Sequence, residues 1–141
     1  QESNARTQPL TNVEIPNTDW TKLAIDIVGP FGLLPHHQRY VLTMVEYTSK
    51  WLEVRLLSHP NSKTIITFLT DVFEREGFPD ELVSDNGVQF VSAEMEEFLV
   101  SAGIKHKKSS LYHPQSNGLI ERMNRMVVEC ITRCSCFKDL C

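Results

Sequence analysis

Long apolar runs are missing from this sequence of 141 residues. No stretch approaches the roughly 20 apolar residues that a membrane-spanning helix needs, and the polar start at residues 1–8 lacks the apolar centre of a signal peptide. We therefore expect a soluble intracellular protein that is not secreted. With 41% hydrophobic residues, the chain is expected to form one domain, which would bury about 70% of the surface that its unfolded chain exposes.

Cysteine is absent until Cys130, and all four cysteines fall within the last twelve residues. Cys130 and Cys134 would share a helix face, but the remaining spacing, with Cys136 and Cys141, matches no common zinc framework, and no His lies nearby. Free thiols are therefore favoured, with a zinc site as the alternative. The sequence also starts without Met and ends on this cysteine-rich run, so we expect it to be a segment of a longer protein.

Positive charge is scarce in residues 1–102, which hold seven Lys or Arg against fifteen Asp or Glu. Residues 103–141 reverse the balance, with seven against three. Cations clustered in this way can neutralise nucleic-acid phosphates, although charge alone favours the simpler interpretation of a solvated helix face. The candidate phosphate contacts are Lys105, Lys107, Lys108, Arg122, Arg125 and Arg133.

Hydrophobic spacing predicts an α/β order that begins with three strands. A short polar turn joins the second strand to the third, as in an antiparallel meander. Asn61 and Ser92 are suited to cap the first two helices, and a turn-rich loop at 109–118 precedes the last helix. The predicted strands span 22–28, 39–47, 51–57, 81–84 and 104–107, and the predicted helices span 61–76, 92–103 and 116–133.

Three acidic residues stand in settings that suit one shared metal site. Asp26 interrupts an apolar strand, where a buried carboxylate needs a cation or hydrogen bonds. Asp85 follows the strand at 81–84, so its carboxylate would project at the carboxyl end of the sheet. Glu121 shares the polar face of the last helix with Asn117 and Arg125, and 35 residues separate it from Asp85. Carboxylate oxygens without Cys or His suit Mg²⁺ or Mn²⁺.

The order of strands and helices is that of the ribonuclease H-like fold, an α/β architecture. This fold has a mixed five-stranded sheet, with its first three strands antiparallel, flanked by helices. Three segments closely resemble the catalytic core of retroviral and gypsy-type retrotransposon integrases, members of the acidic-triad recombinase superfamily. They run from Asp19 to Pro30, from Val83 to Phe90 and from Tyr112 to Arg125. The combination of the acids, their interval and the Tyr112-His113-Pro114-Gln115 element makes the resemblance specific.

The resemblance implies DNA integration and recombination by a two-metal polynucleotidyl transferase and endonuclease. Such an enzyme trims the 3′ ends of the element and transfers the new 3′-hydroxyls onto a target phosphodiester by in-line displacement. Asp26, Asp85 and Glu121 would be the catalytic residues and the ligands of Mg²⁺ or Mn²⁺, two ions per active site when DNA is bound. Asp26 would bridge both ions, and the other two acids would each complete one side.

Further expectations concern DNA and protein partners. The resemblance implies a homodimer through the core, a nuclear or other intracellular location, no membrane, and zinc-binding and carboxyl-terminal DNA-binding modules in the full-length protein. The partner DNA would comprise element ends and target DNA. Asn117 and Arg125 flank Glu121 by one helical turn and resemble the family's DNA-contacting positions, and loop residues would approach the DNA end. The predicted DNA-binding residues are Asn117, Arg125, Asn124, Arg122, Tyr112, Gln115, Lys105, Lys107 and Lys108.

The predicted organisation has three parts. Residues 1–18 form a linker or extended arm, residues 19–133 form the integrase catalytic core, and residues 134–141 form a cysteine-rich tail for which disorder is one interpretation. Leu111 and Leu119 stand where the family usually has Pro and Gln. Two alternatives stay open: a captured, catalytically silent core that acts as a DNA-binding or protein-interaction module, and a structure-selective metal-dependent nuclease. The intact acidic triad disfavours the silent core. The Tyr112-His113-Pro114-Gln115 element and the 35-residue interval between Asp85 and Glu121 disfavour the nuclease.

Overall fold

The computed structural model describes residues 20–32, 34–108 and 114–134, and within the last range it describes the side chains from 118 to 133. The predicted arm at 1–18 and tail residues 135–141 lie outside the described residues, so the division into three parts stays a prediction. None of the helices in the described ranges combines the length and the apolar composition of a membrane-spanning segment.

Five strands form one mixed sheet. They are β1 (Lys22–Val28), β2 (Tyr40–Glu46), β3 (Leu52–Leu57), β4 (Glu81–Ser84) and β5 (Lys105–Lys108). Across the sheet the order is β3, β2, β1, β4, β5. The first three strands pair antiparallel, whereas β4 runs parallel to β1 and β5 runs parallel to β4. The α/β fold of ribonuclease H-like type that the sequence predicts is thereby confirmed.

In the described ranges, four α-helices flank the sheet: α1 (Ser62–Glu76), α2 (Val88–Val91), α3 (Ala93–Ser101) and α4 (Pro114–Cys134). Both capping predictions are confirmed, because the side chains of Asn61 and Ser92 each accept a hydrogen bond from a backbone N–H in the first turn of their helix. Helix α2 was not predicted, because a single turn is too short to show helical periodicity.

The predicted loop at 109–118 is wrong in its second half. Residues 109–113 lie outside the described residues, but α4 already begins at Pro114, two residues before the predicted start of this helix. Proline suits the first turn of a helix, because an N–H there would have no intrahelical partner. The turn-forming residues of this segment therefore led to a predicted loop where α4 begins. Strand β5 also begins one residue later than predicted, at Lys105.

Alternation along β1 assigns the helices to opposite faces of the sheet. Leu23 and Ile25 belong to the larger core cluster, which the sheet forms with α1 and α3. Ala24 lies in a second cluster with Ile120 of α4. Because successive side chains in a strand point to opposite faces, Asp26 shares the face of Ala24 and lies beneath α4.

Gly29 directly follows β1 and has a backbone conformation that opposes a side chain. Its φ is 127°, and a Cβ at this position would lie 2.6 Å from the carbonyl oxygen of Arg39. We expect Gly29→Ala to lower the free energy of unfolding by more than about 1 kcal/mol, because the left-handed backbone and the close approach both oppose a methyl group. Urea unfolding of the purified chain measures this change.

Gly32→Ala is the matched control for that measurement. Gly32 lies outside the positive-φ region, and no atom of the described residues stands within 4 Å of a Cβ added there. Equal unfolding midpoints for the Gly29 and Gly32 variants would contradict the assignment of steric strain to Gly29.

Candidate active site

The carboxylate of Asp26 lies near the middle of the sheet with a hydrogen bond at each oxygen. Its Oδ1 accepts from the backbone N–H of Ile27 at 2.9 Å. Its Oδ2 accepts from the side-chain amide Nδ2 of Asn124, on α4, at 3.0 Å. The second bond joins residues 98 positions apart and fixes α4 over β1. Burial of this carboxylate is thus partly compensated by hydrogen bonds, as the sequence predicts.

Parallel pairing of β1 and β4 brings Asp85 to the side of Asp26. Ala24 stands opposite Val83 in this register, so two further residues along each strand lead to the two aspartates. The Oδ1 of Asp85 accepts from the backbone N–H of Gly87 at 2.8 Å, which fixes the turn after β4. The two aspartates therefore meet although 58 residues separate them in the sequence.

The pKa of Asp26 is raised, and burial is the largest cause. The hydrogen bond from the Ile27 N–H opposes this shift, whereas the negative charge of Asp85 and a side-chain contact with Asp85 add to it. The amide of Asn124 lowers the pKa again. Two adjacent carboxylates, one of them desolvated, fit a divalent cation, because a bound positive charge would relieve both the burial and the repulsion.

Glu121 is exposed on α4, one helical turn before Asn124. In the ranges that the structure describes, no group of three His, Cys, Asp or Glu residues is placed to hold a metal ion. The structure therefore brings Asp26 and Asp85 together, and the membership of Glu121 in the same site stays a prediction. Residues three apart on a helix are neighbours, so Glu121 lies on α4 next to Asn124, the residue that contacts Asp26.

Asn124 is placed differently from the DNA contact that the sequence predicts for it. Asn124 is only 8% exposed, and its amide Nδ2 points towards Asp26. Its Oδ1 is buried and has no hydrogen-bond partner among the described residues. Helical spacing could have revealed this burial, since Asn124 follows the buried Ile120 by four residues and precedes the buried Val127 by three.

Other predicted DNA contacts lie on α4 and in the segment before it. Arg122 and Arg125 are exposed, as a phosphate contact requires. Tyr112 and the side chains of Gln115 and Asn117 lie outside the described residues, so their roles stay predictions.

The lysines of β5 are spread along the strand and not gathered at the aspartates. Lys105 stands opposite Glu81 at the far end of β4, whereas Lys108 stands opposite Ser84, beside the turn that starts at Asp85. Lys107 is 3.7 Å from a carboxylate oxygen of Glu81. Lys108 forms an ion pair with Glu96 on α3. Phosphate binding by Lys107 or Lys108 would therefore compete with an ion pair inside the protein.

A ribonuclease H-like sheet with two aspartates meeting near the carboxyl ends of β1 and β4 defines the class of this protein. The family model of the integrase core domain matches residues 14–114. The chain belongs to this family, as a catalytic core of retroviral and retrotransposon type. The resemblance noted in the sequence is thereby confirmed.

Similar proteins occur in viruses and in an animal. The chain is 35% identical over 117 residues to an uncharacterized protein of Caenorhabditis elegans, covering 83% of this chain and 9% of that protein. It is 35% identical over 120 residues to the Gag-Pol polyprotein of feline leukemia virus, covering 84% and 7%. It is 36% identical over 119 residues to the Pol polyprotein of Radiation murine leukemia virus (strain Kaplan), covering 84% and 20%. The chain thus spans a small part of each relative.

The raised pKa of Asp26 predicts a stability effect that depends on pH. A carboxyl group with a raised pKa in the folded state contributes stability that is present below its unfolded pKa and is lost as the pH rises through the folded value. In EDTA near neutral pH, Asp26→Asn should therefore unfold at a higher temperature than the parent. The difference should shrink when the pH falls below the raised pKa, as thermal melts across a pH series would show.

Glu74→Gln is the control for these melts, because Glu74 is an exposed carboxylate on α1. Its midpoint should follow that of the parent at each pH. Addition of Mg²⁺ should stabilise the parent more than Asp26→Asn, since ligand binding to the folded state raises its stability. In EDTA at neutral pH, Asp26→Asn could instead unfold at a lower temperature than the parent. That result would contradict the conclusion that ionised Asp26 lowers the stability of the fold.

Proposed function

We propose that this chain catalyses metal-dependent polynucleotidyl transfer on DNA, in 3′-end processing and strand transfer. The contact between Asp26 and Asp85 is the observation that carries the proposal. A desolvated acid beside a second acid is costly for folding alone, and its cost falls when a cation binds. Membership of the integrase core domain family supports the same reaction class.

Asp26, Asp85 and Glu121 would hold Mg²⁺ or Mn²⁺, because all three offer hard oxygen donors. Two such ions supply positive charge that stabilises the attacking and the leaving oxygen of an in-line displacement. The Ile27 N–H and the Asn124 amide orient Asp26, and the Gly87 N–H orients Asp85. Pre-oriented carboxylates reduce the rearrangement needed when the DNA arrives.

The bond changes balance with water or a DNA 3′-hydroxyl as the nucleophile. The attacking oxygen forms a new bond to phosphorus, and the bond from phosphorus to the departing oxygen breaks. The proton of the nucleophile passes to solvent, and the departing oxygen takes up a proton from solvent to become a hydroxyl. End processing would use water, and strand transfer would use the 3′-hydroxyl. Each strand transfer therefore exchanges one phosphodiester for another, with no covalent intermediate on the protein.

We also propose that the core acts as a homodimer, in the nucleus, within a longer protein that carries zinc-binding and carboxyl-terminal DNA-binding modules. Exposed apolar side chains favour a protein partner: Trp51 is 51% exposed and Val54 on β3 is 42% exposed. Met126, on the same helix as Glu121, is 45% exposed. Arg122 and Arg125 would bind the phosphates of the DNA that reaches the site.

Substitution of each acid tests the proposed activity. Asp26→Asn, Asp85→Asn and Glu121→Gln should each reduce strand transfer and disintegration on branched DNA by more than about 100-fold, because loss of a metal ligand should exceed the 10- to 100-fold effect of losing a residue that orients one. Assays with Mg²⁺ and with Mn²⁺ measure the products, and Glu74→Gln serves as the control. Retained activity in any of the three variants would exclude that acid from the site.

The same assay separates the proposed enzyme from its two alternatives. Joined products from the parent, lost in Glu121→Gln, support polynucleotidyl transfer. Cleaved DNA without joined products would favour a structure-selective nuclease. DNA binding with neither product would favour a catalytically silent binding module and would contradict the proposal.

Two arginines on α4 test the predicted contact with DNA. Arg122→Gln and Arg125→Gln should each weaken binding to a duplex end and lower the salt slope by about one, because each removes one phosphate contact. Fluorescence anisotropy across a salt series gives both quantities. Lys63→Gln is the control, since Lys63 is exposed on α1, on the opposite face of the sheet from α4. An unchanged salt slope in both arginine variants would remove α4 from the DNA interface.

A further inference from the structure

A chain of hydrogen bonds links the end of β4 to α3 through a buried histidine. Ser84 is 2% exposed, and its Oγ is 2.7 Å from Nε2 of His106 on β5. Nδ1 of His106 is 3.3 Å from Oε1 of Glu96 on α3. The side chain of His106 is 5% exposed, so this ring is held inside the protein. None of these three residues belongs to the acidic triad.

The order Ser, His, carboxylate is also that of a hydrolytic triad, but the surroundings of Ser84 exclude that role. A nucleophilic hydroxyl must reach its substrate. Ser84 is buried, and its hydroxyl donates to the backbone carbonyl oxygen of Asp85 at 2.9 Å. The hydroxyl is therefore directed at the backbone of the active-site turn and not at solvent.

We propose that His106 is a positioning residue for Asp85, which it holds in place through the hydroxyl of Ser84 while Glu96 orients its ring. The inference rests on the proposed function, because it concerns the placement of an acid assigned to catalysis. Asp85 is the first residue after β4 and is exposed, so the strand itself fixes only one side of it. The bond from Ser84 restrains the Asp85 carbonyl, and the Gly87 N–H restrains its carboxylate.

The direction of the bonds supports this role. A hydroxyl has one proton, so when Ser84 donates to Asp85, its Oγ accepts from the Nε2–H of His106. A carboxylate oxygen of Glu96 lies 3.3 Å from Nδ1, on the other side of the ring. The other oxygen of Glu96 accepts from Nζ of Lys108 at 2.7 Å, which lowers the pKa of Glu96 and keeps it ionised. The reverse direction, with Ser84 donating to His106, would release the carbonyl of Asp85.

The position of the network explains how it could act at a distance from the triad. β4 and β5 pair in parallel, with Leu82 opposite His106 and Ser84 opposite Lys108. His106 therefore reaches forward along the sheet to the last residue of β4. Three separate elements, β4, β5 and α3, are joined at the point where the chain turns to Asp85.

Removal of the hydroxyl is the first test. Ser84→Ala should shift the backbone amide NMR signals of Asn86 and Gly87, and it should weaken Mn²⁺ binding by about 10- to 100-fold, the usual effect of losing a residue that orients a metal ligand. Ser84→Thr keeps the hydroxyl on a strand residue and should restore both readouts. Unchanged amide signals in a folded Ser84→Ala protein would overturn the proposal.

Substitutions at the other two residues separate positioning from a general packing defect. His106→Phe keeps a ring but removes both nitrogens, so it should reproduce the effects of Ser84→Ala, and the double variant should be no worse than either single variant. Glu96 is the half-exposed end of this chain of hydrogen bonds. Glu96→Gln should therefore shift the same amide NMR signals in the same direction, but by a smaller amount. Glu97→Gln, an exposed neighbour on α3, is the matched control. If the losses of Mn²⁺ affinity in Ser84→Ala and His106→Phe were fully additive in the double variant, the proposed link between Ser84 and His106 would be overturned.

A further measurement needs neither metal nor DNA. The ¹⁵N spectrum of the parent should show a proton on Nε2 of His106, and an unprotonated Nε2 would overturn the proposal, because the Ser84 proton would then be directed away from Asp85. Should the parent fail to bind Mn²⁺ or to join DNA, the proposed function would fail. The amide signals of Asn86 and Gly87 would still decide whether His106 positions the turn.

Discussion

A carboxylate in the middle of an apolar strand requires compensation, and the surroundings of Asp26 follow from that requirement. One oxygen takes the N–H of the next residue, and the other takes the amide of Asn124. The second bond joins α4 to the sheet, so the compensation of one half-buried charge also positions the helix that bears Glu121. Electrostatic repulsion between Asp26 and Asp85 remains, and a bound cation would reduce it.

The parallel pairing of β1 and β4 gives the site its second acid. In an antiparallel pair, the residues that follow β4 would lie at the opposite end of β1. Parallel pairing instead places Asp85 beside Asp26, and the Asx turn with Gly87 holds it there. Behind this turn, Ser84 and His106 connect the strand end to α3. The placement of the two aspartates thus depends on the strand pairing and on buried polar contacts around it.

Much of the fold could be predicted because its signals are local. The helix from the Asn61 cap to Glu76, the Ser92 cap and the strand at 81–84 are observed as predicted, since capping and hydrophobic spacing act within a few residues. Prediction failed where local signals conflict or are too short. The turn of α2 has no periodicity, and Pro114 follows turn formers although it opens α4.

The sequence by itself determined the five strands, the three longer helices, the family and the two aspartates, because embedded acids, caps and motif spacing are properties of the chain. Tertiary structure decided which groups meet. The bond from Asn124 to Asp26 crosses 98 positions, and the contact of Ser84 with His106 crosses 22. Such pairs depend on strand order and on the rotation of α4 about its axis, which local composition does not encode. The same long-range packing gave Asn124 a buried place beside Asp26, where sequence alone predicted a contact with DNA.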